Sequence, residues 1–211
     1  MQMKAEENRT LTAAEQRRLE RFEALQARLE AQGWRATNLV ISVIKANVFA
    51  VALAFPLMGL GFWLFFKRNG GIGSMPGNFF LLFLIAFIAL IFVHEGLHGV
   101  TWALFAENGF KDIAFGFMKE LLTPYCTCAA PLKKGQYILG ALMPLIVLGI
   151  IPTALGILFG SMFWTVIGLV MVLSAGGDIL IVLKLLLWKS AAAEKRFLDH
   201  PTQAGLVVFE R

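Results

Sequence analysis

Charge is what this chain has least of: only 16% of its 211 residues are Asp, Glu, Lys or Arg, against 58% hydrophobic. A water-soluble domain carries about a quarter charged residues, so the composition excludes that class and places the chain in a bilayer. Cysteine is nearly absent, Cys126 and Cys128 being the two. A bond between residues so close would be strained, so no disulfide framework is expected. No secretory leader is legible, because the opening 38 residues are polar rather than a short basic start before an apolar core. That end is expected in the cytoplasm. The net charge of +5 implies no nucleic-acid partner, since the basic residues flank apolar runs, where they set membrane orientation.

What fills the sequence instead is long apolar runs. Residues 46–66, 79–106, 138–159 and 162–188 are each long enough, at about 1.5 Å per residue, to cross a core of about 30 Å. Pro56 should kink the first. Pro144 and Pro152 should bend the third, and Ser174-Ala175-Gly176-Gly177-Asp178 interrupts the fourth. Lys and Arg cluster in the N-terminal arm, in the 107–137 segment, and at the end of the fourth run with the tail, while Lys67 and Arg68 alone fall between the first two runs. The positive-inside rule then gives four crossings of the cell membrane with both termini cytoplasmic. The expected fold class is an all-α membrane protein of four transmembrane helices. Its organisation is a cytoplasmic arm (1–38), a membrane domain (39–188) and a cytoplasmic tail (189–211).

Within the arm, Thr12-Ala13-Ala14-Glu15 has the spacing of a capping box. Leu19, Phe22, Leu25 and Leu29 follow at helical intervals until Gly33. This amphipathic helix could rest on the membrane surface, cover the mouth of a site, or meet a partner; plain surface packing is the favoured expectation. After the second run, Asp112 to Phe117 alternates residue by residue and 124–130 reads as extended, which suggests a short β-hairpin whose free edge could pair with an unwound peptide. In the tail, Asp199-His200-Pro201 reads as a turn ahead of a short strand, Leu206 to Phe209.

One stretch carries chemistry. His94-Glu95-Gly96-Leu97-His98 lies inside the second apolar run, and on a helix two residues four apart share a face, so both imidazoles can grip one metal ion with Glu95 beside it. Zn²⁺ takes imidazole nitrogens readily, and a neighbouring carboxylate can accept the proton of an activated water. Ionisable side chains in a hydrocarbon setting are costly, so they mark function or a partner; a merely hydrogen-bonded polar cluster is the competing explanation.

A catalytic zinc site needs a third protein ligand, and depth selects Asp178. His94 and His98 lie about 22 and 28 Å along their run, and Asp178 lies about 24 Å along the fourth, which runs the same way. Gly176 and Gly177 would let the carboxylate approach the imidazoles. His200, Glu107 and a cysteine remain as alternatives, with the cysteines better read as small buried thiols.

His94-Glu95-x-x-His98-Gly99, Pro124-Tyr125-Cys126-x-Cys128, Gly140-Ala141-Leu142-Met143-Pro144, Ser174 to Asp178, and Asp199-His200-Pro201 stand in that order over residues 90–211. Together they resemble the bacterial family of membrane proteins labelled zincin peptidases. That family is similar in layout to the site-2 intramembrane metalloproteases, although Asp178 follows two glycines rather than standing in their Asn-Pro-Asp-Gly or Leu-Asp-Gly setting. The resemblance implies Zn²⁺ as cofactor, His94, His98 and Asp178 as ligands, and Glu95 as catalytic carboxylate. The activity it implies is a zinc metalloprotease cutting a membrane protein or peptide at or within the cytoplasmic side of the bilayer. The alternatives are a scaffold or sensor using the cluster structurally, and then a transporter. Substrate identity and oligomeric state are not legible.

Overall fold

Thr12 closes the N-terminus of the first helix, α1 (Ala13–Glu30), as its sequence requires: its hydroxyl accepts the Glu15 N–H at 3.3 Å and the Glu15 carboxylate accepts the Thr12 N–H at 2.9 Å. The computed structural model describes residues 11–118 and 123–211. The first ten residues of the expected arm and residues 119–122 of the expected hairpin lie outside the described residues. After α1 the chain forms a strand, β1 (Arg35–Val40), and then the helices α2 (Val43–Asn69) and α3 (Phe79–Ala103). α2 runs through Pro56 and ends at Gly70, whose φ of 69° is a left-handed stop that glycine adopts freely. α3 ends at Ala103, three residues short of the expected limit.

The third apolar run is α4 (Lys134–Pro144), a π-helical stretch (Leu145–Ile150) and α5 (Ile151–Phe159). Pro144 and Pro152, which have no N–H for the helical ladder, bracket the irregular segment. The fourth run is two helices, α6 (Met162–Ser174) and α7 (Gly176–Leu187), bent by 48° at the expected interruption. By length and composition three helices among the described residues could cross a membrane, or four if the bent pair is one span.

The expected hairpin is present. β2 (Ile113–Met118) pairs antiparallel with β3 (Thr123–Cys128), Ile113 opposite Cys128. Gly99 lets it settle on α3, since a Cβ there would lie 2.5 Å from Phe115 Cζ.

The expectation of an all-α fold needs correction, because the arm and the tail build a sheet. β4 (Lys195–Asp199) and β5 (Gly205–Glu210) join β1 in an antiparallel sheet ordered β1-β5-β4. Its cause lies in β5, where Leu206, Val207, Val208 and Phe209 are all buried, so the strand must be covered on both faces. Leu206, Val208 and Phe197 pack toward the apolar helices with Leu132, Tyr137 and Leu185. Val207, Phe209 and Leu198 pack the other way, with Leu29, Trp34, Phe22 and Leu25. Fully burying one such side chain contributes about 1.5–3 kcal/mol. The sheet is thus a middle layer between α1 and the bundle, and Lys184 of α7 ties it down by donating to the Val40 carbonyl.

Candidate metal centre

α3 places the imidazoles of His94 and His98 on one face, ring centroids 4.9 Å apart, and both residues are buried. Asp178, in the first turn of α7, meets them with both oxygens: Oδ2 lies 3.2 Å from His94 Nε2 and Oδ1 3.4 Å from His98 Nε2. Candidate ligand atoms of all three lie within 4.8 Å of one another. Two imidazole nitrogens and a carboxylate oxygen are a donor set suited to catalytic zinc, so the group could hold one metal ion. The adjacent glycines act elsewhere than expected. A Cβ on Gly176 would lie 2.2 Å from Ala50 Cβ, so that glycine lets α2 approach the bend, while a Cβ on Gly177 would meet nothing within 4 Å.

The orientation of His98 is set from α4. Its Nδ1 lies 2.8 Å from the Gly140 carbonyl oxygen; as the donor in that bond it leaves Nε2 with the lone pair a metal needs. In a regular helix that carbonyl would accept the N–H four residues on, but that residue is Pro144, which has none. Gly140 also permits the contact between helices, since a Cβ would sit 2.0 Å from Trp102 Nε1. Trp102 stacks on His98 at 5.1 Å and donates from Nε1 to the Tyr137 carbonyl at 3.2 Å. The Gly140-x-x-x-Pro144 spacing was visible in the sequence; its partner on α3 was not. His94 Nδ1, by contrast, is buried without a hydrogen-bond partner among the described residues, so that ring is placed by its Nε2 side.

Glu95, His98 and Asp178 line a cavity of about 220 Å³ that Tyr125 and Cys126 of β3 help to enclose. The Cys126 N–H bonds to the Glu95 carboxylate. Two residues along β3, the Cys128 N–H donates to Asp199 Oδ2 at 2.7 Å, while the Tyr137 hydroxyl donates to Oδ1 at 2.6 Å. The strand edge facing the cavity is therefore engaged at both donors rather than free. Burial pushes Asp199 up from 3.8 to about 6 despite those two bonds. Burial likewise raises the Cys126 thiol and pushes Cys128 up to about 12, with the Asp199 charge adding to both.

Among the described residues, no cysteine, His200 or Glu107 joins a three-donor group of this kind. His200 sits in the β4–β5 turn, where its Nδ1 accepts the N–H groups of Thr202 and Gln203 at 3.3 and 3.1 Å, and burial lowers its pKa. Glu107 is exposed in the connector after α3. Of the placements open to the arm helix, the structure has it beside the site. The Arg18 guanidinium lies 4.9 Å above the Tyr125 ring and donates to Thr127 Oγ1 at 3.3 Å.

A family model described as "Putative zincin peptidase" matches residues 87–193, just over half of the chain. The match takes in the His94–His98 motif, the hairpin and Asp178, and stops before Asp199. No curated protein and no solved structure matches the chain.

Proposed function

The chain belongs to the zincin peptidase family, and from that premise we propose that it is an integral membrane zinc metalloprotease that hydrolyses peptide bonds at or within the cytoplasmic side of the bilayer. The observation that carries this reading is the meeting of His94, His98 and Asp178, the last two opening with Glu95 onto one cavity. Zn²⁺ held by those three residues would supply a Lewis acid for the scissile carbonyl and lower the pKa of a water. Glu95 is the general base and acid: it accepts the proton of the attacking water and returns it to the departing amine. The Cys126 N–H fixes one side of that carboxylate, and the Gly140 carbonyl holds the His98 ring in its productive tautomer.

The strands support a topology of four crossings with the termini on one side. β1 precedes the first membrane helix and β4 and β5 follow the last, yet all three share a sheet. An even number of crossings must therefore separate them, which favours counting α6 and α7 as one bent span. The concentration of Lys and Arg on that side favours the cytoplasm. Two histidines on one apolar helix and an aspartate on a later one also resemble the layout of site-2 proteases, which supports a cut within the membrane.

Zinc content together with cleavage of a membrane-anchored peptide, for wild type and Glu95→Gln, tests the proposal. Wild type should carry zinc and cut, and Glu95→Gln should keep the zinc and lose the cut. Undiminished cleavage by Glu95→Gln, or a zinc-free active protein, would contradict it.

A further inference from the structure

A second cavity, of about 230 Å³, lies between α1, the connector after α3 and the base of the hairpin. It shares Arg18, Thr127, Asp199, His200 and Pro201 with the wall of the metal cavity, so the two spaces adjoin. Its charges are sorted. Arg18, Arg21 and Arg28 of α1 line it, spaced along one helical face, whereas Glu20, Glu23 and Glu30 do not. Lys111 adds a fourth cation from the opposite wall.

The acids offset this only in part: Glu15 lies 3.8 Å from the Arg18 guanidinium, which leaves Arg21, Arg28 and Lys111 as the lining cations without an ion pair among the described residues. Asp112 is bonded to the backbone and side-chain nitrogens of Asn108, and Asp199 is held by Tyr137 and Cys128; Glu107 is exposed at the rim. Arg18 Nε is buried without a hydrogen-bond partner among the described residues. A cationic groove that abuts a proteolytic cavity is placed to receive the stretch of polypeptide flanking the scissile bond, and its charge selects an anionic one.

We propose that this groove binds an acidic segment of the substrate beside the cleaved bond, so that the enzyme selects peptides with Asp or Glu on one flank. This rests on the peptidase reading and names the substrate class. An anionic lipid headgroup would meet the same cations, but the wall shared with the metal cavity favours the peptide.

The decisive experiment measures binding to full-length Glu95→Gln protein of two labelled membrane-anchored peptides that differ only in a Glu-Glu-Glu or Gln-Gln-Gln flank. The acidic peptide should bind about tenfold tighter at low salt, as two or three partly screened ion pairs allow, and the ratio should shrink in high salt. Adding Arg21→Glu and Arg28→Glu should bring the ratio to about one or below. Lysines at both positions should preserve it, as should Arg17→Glu, which lies off the groove. Equal binding of the two peptides, or a preference that survives the double reversal, would overturn the proposal. So would a double reversal that weakens only association with phosphatidylglycerol vesicles, which would make this a lipid site. Because binding is read on a protein that does not turn over, a wild type that cuts no peptide would sink the peptidase reading alone, whereas charge-blind binding would sink the groove alone.

Discussion

His98 Nδ1 and the Gly140 carbonyl oxygen lie 2.8 Å apart, joining the helix that carries the His-Glu-x-x-His motif to a helix whose own ladder is interrupted at Pro144. The proline thus acts on His98 from another helix, by leaving an acceptor available.

Pro144→Ala restores an N–H that competes for that carbonyl and draws it back toward the helix. Zinc affinity is expected to fall by about tenfold, in the range for loss of a group that orients a ligand, as read by competition with a chelating dye. Gly140→Ala should destabilise by about 1–3 kcal/mol in thermal or denaturant unfolding, because its Cβ meets Trp102 Nε1 at 2.0 Å. Unchanged zinc affinity in Pro144→Ala would show that the carbonyl does not govern His98.

Asp199 gives the fold a pH dependence of definite sign. Its folded pKa lies above the unfolded one, so the folded state holds the proton longer, and stability declines as pH rises from about 4 to about 6, then levels off. The full decline is at most about 3 kcal/mol. Asp199→Asn should flatten the profile over that window in unfolding experiments at stepped pH. A profile unchanged by the substitution would assign the dependence to other groups.

The motif on α3 and its partner Asp178 were legible in the sequence because one rests on strict helical spacing and the other on depth along parallel spans. The hairpin was legible from alternation. The three-stranded sheet was not, since β1 and β4 are short, mix charged with apolar residues, and pair only through β5, far along the chain. Leu206 to Phe209 did read as a strand, but what covered its two faces could not be read locally. The contacts of Asp199 with Tyr137 and Cys128 span 62 and 71 residues and leave no local pattern. The paired glycines before Asp178 invited a role at the imidazoles, whereas Gly176 turned out to serve the contact with Ala50.

The two cysteines should behave as inert thiols. With Cys128 pushed up to about 12 and Cys126 also raised, little thiolate exists at pH 8. Labelling by iodoacetamide should be slow in the folded protein and rapid after denaturation, by mass spectrometry. Fast labelling of the native protein would contradict the burial of β3 against the cavity.

X-ray absorption at the zinc edge of the purified, zinc-loaded protein tests most directly whether α3 and α7 hold one metal between them. The expected result is one zinc per chain, lost in Asp178→Ala, with only nitrogen and oxygen neighbours at about 2.0–2.2 Å, two of them imidazoles. A sulfur shell near about 2.3 Å, or full zinc occupancy in Asp178→Ala, would contradict it.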